Sequence, residues 1–444
     1  MKITFAAAVL LGLVSVEAHR GHHHKHHHHE EGEKDSRKME IMDEDMPFLA
    51  RMIHPLRKMW EHHEQAFKWG KLHMFAEDFT QEESRCPFKR YFNIKTDKYA
   101  QIEDLRRNEN VQTIYTDKHI KHKMQHWKHH PEQQCPVMKF FENNDWAHMW
   151  GEHHLTPFEG ETPDDIDAAI PEADGIPTAI FHGLGDACIN PGMAHFSQSI
   201  QKGTGGKVFC VEVGVPSLGE TFNNFETIAE KSCNHLAKKG EFHGEFNVVG
   251  LSQGGLLARY IAEECEMKGK VRNLLSIGGP NMGVDAVPNC SEGIFCKAVN
   301  YVARKLVYKD KVQNSIAPAG YFRDVKDLKT YKKDSVFLPA LNNEGTHAEF
   351  SAVRKQKFSD LNGAMFVMFE DDTVVYPKES AWFQTLDSDG KLLALNQTDF
   401  WNNDYIGLKS LHEAGKAHFV SVPGNHLQFT TQDIEETFIP FLNQ

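Results

Sequence analysis

Residues 245–255 read Glu-Phe-Asn-Val-Val-Gly-Leu-Ser-Gln-Gly-Gly. The apolar run 246–249 predicts a short strand, and the residues after Gly255 repeat apolar side chains at helical spacing. Between these two patterns lies a G-x-S-x-G motif centred on Ser252. A strand, a sharp turn and a helix are the context in which this motif forms a nucleophile elbow, with glycines where larger side chains would clash. The stretch therefore predicts that Ser252 is a reactive serine held above the end of a strand.

Strand and helix patterns alternate on both sides of this motif. Strands are predicted at 178–181, 207–213, 247–250, 271–277, 364–369 and 418–422, and helices at 194–201, 225–237, 255–266 and 434–442. Strands separated by helices favour a mostly parallel sheet with right-handed crossovers and helices on its faces. Residues 285–360 interrupt the alternation with helical and loop patterns, as an insertion above the sheet would.

A reactive serine needs a base, and the base needs an orienting carboxylate. In α/β-hydrolases the chain order is serine, then acid, then histidine. Of the four histidines after the motif, His426 directly follows the last predicted strand, where this fold places its base. Glu370, Asp371 and Asp372 follow the preceding strand, and Asp372 begins a D-x-x-V-x-P sequence that resembles the acid loop of these hydrolases. We therefore predict a triad of Ser252, Asp372 and His426.

The tetrahedral intermediate of such a reaction needs two backbone N–H groups aimed at its oxyanion. One is expected from Gln253, the residue after the nucleophile, and the other from the loop after an early strand. The sequence His-Gly-Leu-Gly at 182–185 suits that loop, since its glycines permit close approach and Leu184 supplies the N–H group. A turn that merely ends the strand is the alternative interpretation of this loop.

Several motifs, in order along residues 176–444, resemble the palmitoyl-protein thioesterase family. They are His182-Gly183-Leu184-Gly185-Asp186 with Asn190-Pro191, Gly250-Leu251-Ser252-Gln253-Gly254-Gly255, Ile277-Gly278-Gly279 with Gly283-Val284, Glu379-Ser380-Ala381-Trp382-Phe383, Asn425-His426-Leu427-Gln428 and Phe438-Ile439-Pro440-Phe441-Leu442. The resemblance implies an α/β-hydrolase, lysosomal or secreted, that removes fatty acyl groups from protein cysteines. Two features depart from the family pattern: Cys188 stands alone where the family commonly has adjacent cysteines, and the N-terminal extension is additional.

The same resemblance implies the partners and the cofactor requirement. S-acylated proteins or peptides and fatty acyl thioesters are the expected substrates, and a Ser-His-Asp mechanism requires no metal or organic cofactor. An oxygen-ester lipase on the same fold is one alternative. A secreted, histidine-rich metal-binding protein with an inactive hydrolase-like domain is another, and the complete triad argues against it.

The N-terminus predicts entry into the secretory pathway. Residues 1–18 contain Lys2, the apolar run 5–14 and the sequence Val16-Glu17-Ala18, which together are typical of a signal peptide with its cleavage site. No later segment has the roughly 20 apolar residues that a membrane span requires. We therefore expect a lysosomal or secreted protein in an oxidising compartment. The net charge of −13 and the lack of a basic stripe argue against nucleic acid as a partner.

Residues 19–45 are low in complexity and rich in histidine, and sequence of this kind is predicted to be disordered. Neutral imidazoles suit zinc and copper, so weak metal binding by residues 22–29 is a further expectation. Residues 46–165 hold five of the seven tryptophans and should pack, but they contain no recognisable chemistry. His122 and His126 lie one helical turn apart without the glutamate of H-E-x-x-H, which favours a solvated helix face over a metal site. The hydrolase domain is assigned to residues 166–444.

The chain has eight cysteines, and an even number suits a cross-linked protein of the secretory pathway. The family resemblance implies two pairs, Cys233 with Cys265 and Cys290 with Cys296. Elimination would then pair Cys86 with Cys135, and Cys188 and Cys210 are left either free or paired.

Two sequons predict N-glycosylation, at Asn289 and at Asn396. The sequence around Asn396 is polar, whereas Asn289 directly precedes a cysteine. We therefore favour Asn396 as the site that is used.

Overall fold

The computed structural model describes residues 108–116, 173–188, 190–213, 220–221, 223–289, 294–345 and 351–444. The predicted signal peptide, the histidine-rich segment, His122, His126, Cys86, Cys135 and Cys290 lie outside these residues. Within the described ranges, no helix combines the length and the hydrophobicity needed to cross a bilayer.

A parallel sheet of seven strands forms the centre of the described structure, in the order β1-β3-β2-β4-β5-β6-β9. Its strands are β1 (Val111–Tyr115), β2 (Gly175–Phe181), β3 (Gly206–Glu212), β4 (Glu245–Leu251), β5 (Lys270–Ile277), β6 (Gly363–Phe369) and β9 (Ala417–Val422). A small antiparallel pair consists of β7 (Thr385–Leu386) and β8 (Leu392–Leu393). The predicted α/β-hydrolase class is confirmed, and the bounds of the six predicted strands agree with the structure to within three residues.

Helices follow most strands of the sheet. They are α1 (Pro191–Thr204), α2 (Phe225–Leu236), α3 (Gln253–Glu263), α4 (Ile294–Leu306), α5 (Asp310–Gln313), α6 (Leu328–Asp334), α7 (Leu338–Leu341), α8 (Ala352–Ser359), α9 (Asp399–Asn402), α10 (Leu408–Glu413), α11 (Thr431–Asp433) and α12 (Ile439–Leu442). Short 3₁₀ turns span Gly240–His243, Ala317–Tyr321, Lys378–Trp382 and Leu395–Gln397, and a π-helical turn spans Ile434–Phe438. Helices α4 to α8 lie between β5 and β6 and form the predicted helical insertion.

The core lies on the faces of the sheet, as expected when helices cover a parallel sheet. Six of the seven residues of β4 are buried, so both faces of this strand are covered. Helix α3 packs against β4 and β5 and contacts α2 and α8. Phe196 of α1 packs edge-on against Phe429, which in turn packs against Phe438 near the C-terminus. Val249 and Leu251 of β4 belong to the same buried cluster as these aromatic side chains.

Strand β1 is an addition that the sequence patterns did not predict. It lies within the segment assigned to the N-terminal extension and pairs with β3 at the edge of the sheet, with Val111 opposite Val208. Ile114 is its buried residue, and the Asn108 side chain, just before the strand, donates a hydrogen bond to Gln201 of α1. The extension therefore contributes one strand to the sheet that carries the candidate site.

Five cysteines lie in the described residues, and each of them is disulfide-bonded. Cys233 of α2 is bonded to Cys265, just past α3, as the family resemblance implied. Cys188 is bonded to Cys210 of β3, which settles a pairing that the sequence left open. Cys296 is disulfide-bonded too, and the partner predicted for it, Cys290, lies outside the described residues.

Candidate active site

Ser252 occupies the turn between β4 and α3. Its φ of 54° and ψ of −124° are unusual for a residue with a side chain, a conformation that costs about 1–3 kcal/mol. A Cβ on Gly250 would lie 2.1 Å from the carbonyl oxygen of Gly254, and one on Gly254 would lie 2.2 Å from that of Phe181. Only glycine fits at these two positions, because the turn brings backbone within contact distance of backbone. The sequence motif thus forms the predicted strand–turn–helix elbow.

His426 lies between Ser252 and Asp372. Its Nε2 atom is 2.8 Å from the Ser252 hydroxyl, and its Nδ1 atom is 2.6 Å from Asp372 Oδ2. The side chains of His426 and Asp372 are each 3% exposed, so water competes little for these hydrogen bonds. Asp372 and His426 follow the neighbouring strands β6 and β9, whose carboxyl ends meet at one edge of the sheet. The structure therefore brings together the three residues that the sequence predicted as a triad.

The loop after β6 carries three acidic residues, and its hydrogen bonds orient one of them, Asp372, towards His426. Oδ1 of Asp372 accepts hydrogen bonds from the N–H groups of Val374 and Val375, which leaves Oδ2 for His426. The neighbouring Glu370 and Asp371 are exposed, and Glu370 accepts a hydrogen bond from the hydroxyl of Ser421 instead. Of the three carboxylates after β6, Asp372 is the one that contacts the base.

Asn425 connects the acid loop to the histidine loop. Its Oδ1 atom accepts hydrogen bonds from the backbone N–H groups of His426, at 2.7 Å, and of Thr373, at 3.1 Å. Asn425 belongs to the Asn-His-Leu-Gln motif, but no role was predicted for it from the sequence. Its position directly before the histidine was the available signal, but the link to Thr373 depends on the pairing of β6 with β9.

The two residues predicted to form the oxyanion hole lie beside Ser252. A Cβ on Gly183 would lie 3.2 Å from Cβ of Ser252, so the 182–185 loop touches the serine. Leu184 and Gln253 are 9% and 1% exposed. Gln253 is held by its side chain, since Nε2 donates to the carbonyl oxygen of Glu220 and Oε1 accepts from the hydroxyl of Tyr321. Both residues are therefore largely shielded from water, and the Gln253 side chain is anchored at both ends.

A cluster of ionisable side chains around His182 of this loop was not predicted from the sequence. Nε2 of the fully buried His182 lies 3.4 Å from Glu212 and 3.5 Å from Glu220. Burial alone would lower the pKa of His182, but the carboxylates of Glu220 and Glu212 outweigh it and raise the pKa well above its ordinary value. Burial also raises the pKa of Glu220 to about 8, against the opposing attraction of His182.

Potential metal ligands lie in the same region. His182, Cys188 and Glu212 offer ligand atoms within 4.8 Å of one another. The sulfur of Cys188 is bonded to Cys210, however, so it presents no thiolate to an ion. The group is better described as an ion pair beside a disulfide than as a metal centre.

The two sequons differ in accessibility. Asn396 is exposed, whereas Asn289 is partly buried and its Oδ1 atom accepts a hydrogen bond from the Thr373 hydroxyl at 2.7 Å. Thr373 directly follows the triad acid, so a glycan on Asn289 would disturb the acid loop. Asn396 remains the predicted site.

Comparison with known proteins adds an independent line of evidence. A model of the palmitoyl protein thioesterase family matches residues 177–426, a range that contains Ser252, Asp372 and His426. Palmitoyl-protein thioesterase 1 of Caenorhabditis elegans is 32% identical over 263 residues, which cover 57% of this chain and 87% of the relative.

Two further relatives differ in length and naming. A palmitoyl-protein thioesterase-dolichyl pyrophosphate phosphatase fusion of Schizosaccharomyces pombe is 30% identical over 273 residues, which cover 60% of this chain and 43% of the fusion. A Drosophila melanogaster protein named lysosomal thioesterase PPT2 homolog is 29% identical over 214 residues, which cover 47% of this chain and 73% of the relative. All three matches fall short of the full chain.

Proposed function

This chain belongs to the palmitoyl protein thioesterase family, and from that premise we propose that Ser252, His426 and Asp372 hydrolyse long-chain fatty acyl thioesters. The substrates are S-acylated cysteines of proteins or peptides, from which palmitate is removed. The observation that carries the proposal is the continuous hydrogen-bonded chain from the Ser252 hydroxyl through His426 to Asp372, placed on a strained elbow.

The first half-reaction forms an acyl-enzyme. Ser252 Oγ attacks the thioester carbonyl carbon while His426 Nε2 accepts the hydroxyl proton. Asp372 keeps the His426 Nδ1–H group in place and stabilises the imidazolium that forms. The backbone N–H groups of Leu184 and Gln253 hold the oxyanion. The C–S bond then breaks, and because a cysteine thiol has a pKa near ~8.5 the sulfur departs readily as thiolate. The departing sulfur takes up the proton held by His426, which leaves as part of the free thiol and returns the histidine to its neutral form.

The second half-reaction releases the fatty acid. Water enters, His426 removes a proton from it, and the resulting nucleophile attacks the ester carbonyl of the acyl-enzyme. Collapse of the second tetrahedral intermediate returns the proton to Ser252 Oγ and frees the carboxylic acid. The residues named here complete both half-reactions.

The family relatives and the disulfides support a place in the secretory pathway. Relatives named lysosomal thioesterases match this chain, and the disulfides at Cys188–Cys210 and Cys233–Cys265 are of the kind that persists in oxidising compartments. We propose that the protein is lysosomal or secreted.

Two measurements test the function. A fluorophosphonate probe should label the wild-type protein and leave Ser252→Ala unlabelled. Palmitoyl-cysteine peptides and palmitoyl-CoA should be cleaved, with kcat/KM rising with acyl length, since each buried methylene contributes about 0.8 kcal/mol, or roughly a fourfold change. Equal rates from acetyl to palmitoyl thioesters would contradict the proposal. Faster release of fatty acid from triolein than from palmitoyl-CoA would favour an oxygen-ester lipase instead.

A further inference from the structure

Three ionisable side chains outside the triad are buried together directly behind the 182–185 loop. His182, Glu212 and Glu220 are 0%, 1% and 2% exposed, and His182 faces both carboxylates through Nε2. Burying ionisable groups is costly unless they are paired, and here one imidazole lies beside two carboxyl groups. None of the three belongs to the triad, so the triad chemistry does not account for their burial.

The second nitrogen of His182 contacts the loop itself. Nδ1 lies 2.9 Å from the carbonyl oxygen of Gly183, which also accepts a hydrogen bond from the Asp186 N–H group. A carbonyl oxygen can only accept a hydrogen bond, so Nδ1 carries a proton and donates to Gly183.

This hydrogen bond sets the direction of one oxyanion donor. The carbonyl of Gly183 and the N–H group of Leu184 belong to the same planar, trans peptide unit and point in opposite directions. Because His182 and Asp186 hold the carbonyl on one side, the Leu184 N–H group must point to the other. Gly183 itself lies against Ser252, so that peptide is beside the reacting centre.

Glu220 connects this arrangement to the second donor. Its carboxylate faces His182, while its backbone carbonyl accepts a hydrogen bond from Gln253 Nε2 at 3.0 Å. The other end of the Gln253 side chain accepts from the Tyr321 hydroxyl, also at 3.0 Å. Both residues predicted to donate to the oxyanion are thus anchored through Glu220.

We propose that His182 is a positioning residue of the oxyanion hole, that Glu212 and Glu220 hold its ring from the Nε2 side, and that Tyr321 and Glu220 fix Gln253 in the same way. The proposal rests on the proposed function, since it assumes that Leu184 and Gln253 supply the two donors. His182 acts through the Gly183–Leu184 peptide and does not touch the substrate.

A pair of amide substitutions at His182 provides the test. The side-chain amide nitrogen of an asparagine can occupy the place of Nδ1, whereas that of a glutamine reaches the place of Nε2. His182→Asn keeps the donor to Gly183, and His182→Gln keeps a donor to the carboxylates. We expect His182→Gln to lower kcat for palmitoyl-CoA by about 10²–10³, the cost of losing one oxyanion donor, with KM near that of the wild type. His182→Asn should recover most of that loss.

The rate of fluorophosphonate labelling gives a second readout that needs no acyl substrate. It should fall in His182→Gln and recover in His182→Asn, in parallel with kcat. His418 of β9, which is partly buried and packs against Phe441, provides the matched control. His418→Gln should leave both rates unchanged.

Specific outcomes would overturn the proposal. Wild-type rates in His182→Gln, or an equal loss in both amide variants, would show that His182 only stabilises the fold. If neither variant folds, Tyr321→Phe tests the hydrogen bond that holds the Gln253 side chain. We expect kcat to fall by roughly fivefold. An unchanged kcat would show that the contacts behind the oxyanion hole do not position its donors. A wild-type protein that is labelled at Ser252 but cannot cleave palmitoyl-CoA would remove the substrate assignment and leave the labelling test of His182 intact.

Discussion

The Nδ1 atom of His426 lies 2.6 Å from Oδ2 of Asp372, although the two residues are 54 positions apart in the chain. The other carboxylate oxygen of Asp372 is held by the backbone N–H groups of Val374 and Val375. Asp372 can only accept a hydrogen bond, so it favours the tautomer of His426 that carries its proton on Nδ1. Nε2 is then free to accept the proton of Ser252. One buried hydrogen bond thus selects the reactive form of the base.

Replacing this carboxylate should abolish that selection. Asp372→Asn keeps the size of the side chain but offers an N–H group where His426 needs an acceptor. We expect kcat to fall on the order of 10⁴ with the fold retained, by analogy with other triads. Steady-state kinetics on palmitoyl-CoA, with circular dichroism to verify folding, would measure this.

The neighbouring carboxylates serve as matched controls. Glu370→Gln and Asp371→Asn should each change kcat little, because both side chains are exposed and neither contacts His426. A large loss in one of these variants together with a normal rate in Asp372→Asn would transfer the role of the acid to that neighbour.

The 182–185 loop should tolerate no added atom beside the nucleophile. In Gly183→Ala the new Cβ would lie 3.2 Å from Cβ of Ser252, so the loop or the serine must shift. Misplacement of reacting groups by about 1 Å costs on the order of 10²-fold in rate, and we expect a loss of roughly 10- to 100-fold in kcat. Gly240→Ala, where a Cβ meets nothing within 4 Å, is the control. Equal rates in the two variants would place the loop away from the reacting centre.

The buried carboxyl of Glu220 should make stability depend on pH. Burial raises its pKa from the ordinary 4.5 to about 8, so between these values the folded protein holds a proton that the unfolded chain has released. Stability contributed by this group is complete below pH 4.5 and is lost as the pH rises towards 8. The raised pKa of His182 acts in the same direction above its ordinary value of 6.5.

Glu220→Gln removes the contribution of Glu220 to the pH dependence of stability. We expect the free energy of unfolding, measured in urea, to fall less between pH 5 and pH 8 in this variant than in the wild type. Glu230→Gln, at an exposed position, should follow the wild-type curve. If Glu220→Gln and the wild type changed in parallel, the proton would not reside on Glu220.

Truncation of the N-terminal region should separate dispensable from structural residues. Deletion of 19–45 should leave turnover unchanged, because low-complexity histidine tracts do not build a core. Deletion of 19–116 also removes β1, exposes the edge of β3 and loses the burial of Ile114, a contribution of about 1.5–3 kcal/mol. Scanning calorimetry should show a lower Tm for the longer deletion only. A normal Tm after the longer deletion would mean that β1 adds nothing to stability.

Local features of this protein could be predicted from the sequence because neighbouring residues determine them. The elbow depends on Gly250, Ser252 and Gly254, which lie within five consecutive residues and form a single turn. The central strands are buried on both faces and therefore appear as continuous apolar runs. Strand β1 has one fully buried residue, Ile114, and pairs with a strand almost 100 residues later, so it shows no continuous apolar run of this kind.

Only the tertiary structure decided which distant residues meet. The bond between Cys188 and Cys210, and the approach of Glu212 to His182, follow from the pairing of β2 with β3. The contacts of Glu220 with both His182 and Gln253 likewise join segments that lie more than 30 residues apart in the chain. Sequence motifs identify the residues that react, because each of these residues lies in a turn whose shape depends on its immediate neighbours in the chain. Strand order decides which side chains support them, since it brings together segments that no local pattern connects.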